Sequence, residues 1–124
     1  MRPMLLQMKQ DKEIILQLVV TDQHLSKKFG YTIDEIKKDF EIAAEVDMEQ
    51  DGGDSVSRAS ALGRCLTGMA IVMHDLKPDL IVLYGDRGEV LSTAVAATTM
   101  GIPIAHIQGG DVTGSVDEQM RHAL

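Results

Sequence analysis

Apolar and polar positions along the chain follow the order expected of strands separated by helices. Three short apolar runs rich in β-branched residues predict buried strands, at Glu13–Thr21, Asp79–Tyr84 and Ile102–Ile107. Phe40–Met48 alternates apolar with polar residues and predicts a more exposed, edge-like strand. Strands that alternate with helices imply right-handed crossovers. We therefore expect an α/β fold with one open, mainly parallel sheet covered by helices on both faces.

The segments between these strands carry helical signals. From Val56 to Lys77 apolar residues recur at spacings of three and four, which marks one face of a long amphipathic helix; they fall at positions 59, 62, 66, 69, 73 and 76. Ser55 is the candidate N-cap and Pro78 the stop signal. Glu89–Met100 is rich in alanine and predicts a packed helix.

Three shorter helices are also predicted, one at residues 4–9 and one after each of two capping boxes. Residues 4–9 resemble the end of a helix. Thr32–Glu35 and Ser115–Glu118 each have the spacing of a capping box, in which a hydroxyl and a carboxylate satisfy backbone N–H groups at a helix start. We expect a short charged helix after the first box and another helix after the second.

Composition and charge narrow the class of protein. The 124 residues amount to about one domain, and 44% hydrophobic with 25% charged residues is ordinary for a soluble globular chain. The net charge of -7 argues against non-specific binding to nucleic acid or to an anionic membrane. The single cysteine, Cys65, excludes an internal disulfide. Because no apolar run has the length of a membrane span or a signal peptide, we expect a cytoplasmic protein.

Polar side chains follow two of the predicted strands. Gly85–Glu89 comes directly after one buried run, and His106–Asp111 lies at the end of the next. In an open parallel sheet, ligands bind beyond the carboxyl ends of the strands. If the two strands are neighbours, Asp86, Arg87, His106 and Gln108 face one crevice.

Each of these residues also has a structural interpretation that the sequence leaves open. Asp86 either takes part in catalysis or caps the helix that follows. Arg87 either pairs with Glu89 or grips a phosphate with two parallel hydrogen bonds. After an apolar strand, a histidine such as His106 is most often a satisfied core residue.

The later polar residues are equally ambiguous. Gly109 and Gly110 form either a simple turn or a backbone surface that an anion can approach. Asp117 suits the start of a helix with no further role, and Arg121 suits a solvated helix face. The chain has no G-x-G-x-x-G or P-loop motif, no zinc spacing and no nucleophile elbow.

Two long segments carry a resemblance to a known family. Leu76–Glu89 (LKPDLIVLYGDRGE) and Gly101–Leu124 (GIPIAHIQGGDVTGSVDEQMRHAL) closely resemble the hydrolysing UDP-N-acetylglucosamine 2-epimerases, and Gln17–Ile33 is also similar to them. The resemblance implies two Rossmann-like halves, as in GT-B glycosyltransferases, with a sugar nucleotide between them. This chain corresponds to most of the N-terminal half, residues 1–124. The family's first strand would lie upstream of Met1, and the C-terminal half is absent.

The resemblance also implies a reaction. UDP is eliminated from C1 with loss of the C2 proton, and water adds to the resulting glycal to give free N-acetylmannosamine and UDP for sialic-acid-type sugar synthesis. No cofactor or metal is implied. Asp86 and Asp117 would be the acid/base carboxylates and Arg87 would contact the diphosphate. The remaining residues would bind the substrate: His106, Gly109, Gly110 and Arg121.

Gln108 is grouped by the resemblance with Asp86 and Asp117 as a catalytic residue, but it departs from the family pattern, in which glutamate is common. An amide binds a sugar hydroxyl but does not transfer a proton near neutral pH. Gln108 therefore indicates either a subgroup with another N-acetylated substrate or a lost function. The alternatives are a non-hydrolysing 2-epimerase and a catalytically silent sugar-nucleotide-binding module. An uncovered face where a second domain would dock predicts self-association.

Overall fold

The computed structural model describes residues 1–25, 27, 30–50, 53–109, 119 and 122–124. Its elements alternate in the order predicted from the sequence. The helices are α1 Arg2–Gln10, α2 Ile33–Ile36, α3 Ser55–Leu76 and α4 Gly88–Thr99; the strands are β1 Leu18–Thr21, β2 Ile42–Val46, β3 Ile81–Tyr84 and β4 Ile104–Ile107. A short 3-10 helix, Asp22–His24, follows β1. The α/β class is confirmed.

The strands form two parallel pairs instead of the single sheet that we expected. β1 pairs with β2, with Thr21 opposite Val46, and β3 pairs with β4, with Tyr84 opposite Ile107. No strand ladder joins the two pairs within the described part of the chain. Side chains nevertheless link the residues on either side of β1 to the end of α3 and to the start of α4. Gln17 Nε2 donates to the Leu76 carbonyl over 3.1 Å, and Arg87 pairs with Asp22.

One layer of helices covers both strand pairs. α3 and α4 pack along each other, and their buried residues form a continuous core with the end of β2; the core consists of Val46, Met48, Ala61, Cys65, Met69, Met73, Ala96 and Ala97. Val19, Ile81 and Ile104 from the other strands pack against it. The buried stripe of α3 includes Ala61 and Cys65, so it is rotated from the predicted positions.

All four strands are shorter than the sequence predicts. Residues 13–17 are not strand, and Ile15 is 89% exposed, because the pairing with β2 begins only where Leu18 meets Ile42. β3 and β4 begin together, where Ile81 meets Ile104. The expectation that Asp79–Tyr84 is buried on both faces is wrong, since Val82 and Tyr84 are exposed.

The observed starts of α3 and α2 differ from two further predictions. Asp54, not Ser55, is the N-cap of α3, and its carboxylate accepts a hydrogen bond from the Ser57 N–H over 2.9 Å. That hydrogen bond lowers the pKa of Asp54. The first capping box does not form, because the Thr32 side chain makes no cap bond and instead lies 2.7 Å from His24 Nδ1.

Two further results complete the fold. The second capping box, Ser115–Glu118, lies outside the described residues. Among the described helices, none has the length and apolar character needed to cross a membrane.

Candidate functional site

The pairing of β3 with β4 brings the two predicted polar clusters to one edge. The Gly85 N–H donates to the Ile107 carbonyl over 3.1 Å, which continues the ladder beyond the last residue of β3. Gly85 then turns the chain with a φ of 89°, in the left-handed region that glycine adopts without steric cost. The two strands are therefore neighbours, as the sequence argument for a shared crevice required.

A hydrogen bond from the His106 side chain joins β4 to this turn. Its Nε2 lies 2.6 Å from the Gly85 carbonyl oxygen, and since a carbonyl only accepts, Nε2 carries the proton. The other ring nitrogen faces Gly109, where an added Cβ would lie 2.6 Å from Nδ1. This contact supports the structural interpretation of His106 and gives Gly109 a steric reason to be glycine.

Arg87 lies between two carboxylates. Its Nη2 is 2.8 Å from Asp22 Oδ2, and its Nε is 2.9 Å from Glu89 Oε1. The Arg87 side chain is 47% exposed, whereas that of Asp22 is only 7% exposed. The Asp22 and Glu89 carboxylates therefore hold the guanidinium in place. The exposed part of the Arg87 side chain is accessible to an anionic ligand.

Sequence reasoning missed Asp22. The available signal was its place directly after an apolar strand, the same position that drew attention to the residues after β3. Its partner is 65 positions away, so the sequence alone did not reveal the ion pair. Asp22 also has a φ of 54°, which is uncommon for a residue other than glycine.

The structure places Asp86 and Gln108 at the same edge. Asp86 is half-buried and precedes Arg87, which occupies the N-cap position of α4 without a side-chain cap bond. Asp86 is therefore not the N-cap. Gln108 follows β4, is exposed, and has a φ of 65°.

Three predicted site residues, Gly110, Asp117 and Arg121, lie outside the described residues. Within the described ranges, no group of three or more His, Cys, Asp or Glu side chains could hold a metal ion.

Cys65 lies behind the site, on α3. It is fully buried, and its Sγ is 4.0 Å from the Glu89 carbonyl oxygen. Burial raises the pKa of the thiol to about 11. Because a thiolate is the reactive form, this cysteine is a packing residue and not a nucleophile.

These features define an α/β protein with charged side chains at the carboxyl ends of parallel strands, the usual place for a ligand in such folds. Residues 6–124 match the family model of the UDP-N-acetylglucosamine 2-epimerases, and the chain belongs to that family.

Relatives in this family match nearly all of the chain. It is 39% identical to a hydrolysing UDP-N,N'-diacetylbacillosamine 2-epimerase of Legionella pneumophila, with 100% of this chain and 33% of the relative covered. It is 35% identical to a hydrolysing GDP/UDP-N,N'-diacetylbacillosamine 2-epimerase of Campylobacter jejuni, with 95% and 31% covered. The chain thus spans about a third of the length of these curated relatives.

Solved structures confirm the fold. A crystal structure of a UDP-N-acetylglucosamine 2-epimerase superposes with a TM-score of 0.76 at 21% identity, covering 98% of this chain and 33% of the other. A UDP-N-acetylglucosamine 2-epimerase from Neisseria meningitidis, solved with UDP-N-acetylglucosamine bound, gives 0.73 at 24% identity, covering 97% and 32%.

Proposed function

We propose that this chain is the N-terminal part of a hydrolysing 2-epimerase that acts on a UDP-linked 2-acetamido sugar in the cytoplasm. The observation that carries the proposal is the 39% identity, over the whole chain, to an enzyme named for that hydrolysing reaction. The geometry is compatible with it, because Arg87 reaches solvent beside Asp86 at the carboxyl end of β3.

The reaction breaks two bonds and forms two. A base removes the C2 proton as the C1–O bond to UDP breaks, which leaves a glycal and free UDP. Water then adds across the double bond, with its oxygen at C1 and a proton at C2. Asp86 and Asp117 are the proposed acid/base pair, and Arg87 stabilises the diphosphate that leaves. His106, Gly109, Gly110 and Arg121 are proposed to line the substrate pocket beside Gln108.

The acetamido pattern of the sugar distinguishes two candidate substrates. Overall family membership supports UDP-N-acetylglucosamine. Use of the product for sialic-acid-type sugars is supported by 32% identity to a relative named polysialic acid biosynthesis protein P7. The relatives from Legionella and Campylobacter support a 2,4-diacetamido sugar instead. An amide at Gln108 suits a substrate with a second N-acetyl group, because it can both donate and accept a hydrogen bond. We therefore favour the diacetamido substrate.

The gap between the two strand pairs supports the proposal that an upstream segment completes the domain. Arg87, which lies shortly after β3, pairs with Asp22 directly after β1, and Gln17, just before β1, donates to the Leu76 carbonyl at the end of α3. Strands on either side of one absent strand lie about 9.6 Å apart, twice the usual spacing, and long side chains can bridge that distance.

The handedness of the crossovers supports a position for that segment. α1 contacts the segment that leads from α2 to β2, since Arg2 pairs with Asp39 over 2.9 Å and Lys9 lies over the Phe40 ring. These contacts support a position of α1 on the same face as α2, in which the two crossovers turn in the same direction. Because α2 leads from β1 to β2, a strand before α1 would pair with the other edge of β1, which faces β3. We propose that residues preceding Met1 form this strand.

Hydrogen exchange tests the missing strand. In the longer protein, the amides of β1 and β3 that are not bonded to β2 and β4 should exchange at least about tenfold more slowly than in the 124-residue chain. The amides of α3 serve as the internal reference, because they are bonded within their own helix. Equal exchange of the β1 and β3 amides in both proteins would contradict the proposal.

A product assay tests the function. The full-length protein should release UDP and a free 2-epimerised sugar from the UDP-2,4-diacetamido sugar, with a lower kcat/KM on UDP-N-acetylglucosamine. A UDP-linked epimer without free UDP would identify a non-hydrolysing enzyme, and binding without turnover would identify a silent module. The 124-residue chain alone should release no UDP above the buffer blank, because the proposed cleft needs a second domain.

A further inference from the structure

Asp22 has a backbone conformation that few side chains tolerate. Its φ of 54° places it in the left-handed region, where the Cβ of an L-residue crowds the following carbonyl oxygen. Aspartate and asparagine accept this conformation more readily than other residues with a side chain. Because strained backbone of this kind tends to occur at functional sites, we expect Asp22 to have a functional role.

The ion pair with Arg87 gives Asp22 that role. The Asp22 carboxylate is almost fully buried at the end of β1, while the Arg87 side chain is about half exposed. The fixed member of the pair is therefore Asp22. Together with Glu89, it holds the Nε and Nη2 edge of the guanidinium and sets the plane of the group.

We infer that Asp22 is a positioning residue that holds Arg87 in the orientation in which it receives the diphosphate of the substrate. The inference rests on the proposed function, in which Arg87 meets that diphosphate. An arginine set in place before binding loses less side-chain freedom when the ligand arrives. Removing the Asp22 charge should therefore weaken binding of the diphosphate and not of the nucleoside.

Two substitutions in the full-length protein separate the charge from the backbone. Asp22→Asn keeps the shape and the tolerance for a positive φ but removes the charge, and Asp22→Gly also relieves the strain. Both should raise the Kd for UDP and the KM for the UDP-sugar by about 3–10-fold. The Kd for uridine should stay unchanged. Asp39→Asn, which removes an ion pair with Arg2 on another part of the surface, is the matched control and should change none of these values.

A double-mutant cycle tests whether Asp22 acts through Arg87. In an Arg87→Ala background, Asp22→Asn should change the Kd for UDP by less than about twofold. Equal weakening of UDP and uridine would indicate a merely structural role, and unchanged or tighter UDP binding would also overturn the inference. If the wild-type protein binds no UDP, the proposed function fails as well; UDP binding that is insensitive to Asp22 contradicts only the inference.

Discussion

His106 Nε2 donates a hydrogen bond of 2.6 Å to the carbonyl oxygen of Gly85, and this bond joins the end of β4 to the turn after β3. It fixes both the tautomer and the direction of the ring. Nδ1 then points at Gly109, so closely that an added methyl group would lie 2.6 Å from it. The position of His106 therefore depends on the absence of a side chain at Gly109.

Replacing Gly109 with alanine should displace the His106 ring and break its hydrogen bond. We expect the free energy of unfolding to fall by about 1–2 kcal/mol, as measured by urea denaturation. Gly63→Ala is the matched control. It lies within α3 with nothing within 4 Å of an added Cβ, so it should stabilise the protein by about 0.5–1 kcal/mol. Similar changes in both variants would contradict this account.

The buried thiol of Cys65 should make stability fall at alkaline pH. Burial raises its pKa from 9.0 to about 11, so the folded protein holds this proton over a range where the unfolded chain has lost it. With more protons bound in the folded state, the free energy of unfolding decreases as pH rises from 9 to 11, by at most about 2–3 kcal/mol. Urea midpoints of the wild-type protein and Cys65→Ala across this range measure the effect.

The difference between the two proteins is the test, because other groups titrate in both. The Cys65→Ala midpoint should fall less between pH 9 and 11 than the wild-type midpoint. In the folded wild-type protein, the thiol should also react with a disulfide reagent at pH 8 only as fast as the protein unfolds. Rapid modification without unfolding would contradict the burial of Cys65.

The order and type of the elements could be predicted from the sequence because hydrophobic periodicity is local information. The ends of the strands could not, since they depend on partners. Residues 14–16 (Ile-Ile-Leu) are as apolar as β1 itself, yet they have no strand partner opposite them in the described structure. Ser55 and Asp54 are both good capping residues, and only the hydrogen bond to Ser57 decides between them.

The sequence predicted only those features of the candidate site that follow from the pairing of β3 with β4. Placing the residues after β3 beside those after β4 needed nothing beyond the rule that parallel strands end at one edge. The pairing of Asp22 with Arg87 depends on how β1 lies relative to β3, which no local pattern encodes. The same holds for the close approach of His106 to Gly109, which requires the backbone geometry of the turn.

Asp86→Asn tests the acid/base role in the full-length enzyme. Asparagine keeps the shape of the side chain and loses its proton chemistry, so kcat should fall by about 10²–10⁴-fold while the Kd for UDP changes little. Asp86 is not the N-cap of α4, so loss of a cap would not explain such a fall. Wild-type turnover in the variant, measured by coupled UDP release, would reject the catalytic role.

Gln108→Glu tests whether Gln108 contributes to the preference for the UDP-2,4-diacetamido sugar over UDP-N-acetylglucosamine. In the proposed cleft, a new carboxylate would add like-charge repulsion to the proposed pair Asp86 and Asp117 and raise the pKa of its neighbours, which disturbs their acid/base assignment. In the full-length enzyme, we therefore expect kcat/KM on the UDP-2,4-diacetamido sugar to fall by about tenfold or more, since general acid/base catalysis contributes about 10²–10⁴-fold. Gln108→Asn, which keeps the amide on a shorter side chain, is the control for loss of reach without added charge. A gain of activity on UDP-N-acetylglucosamine in Gln108→Glu would show instead that the glutamine replaced a working glutamate, and would reject its role in substrate recognition.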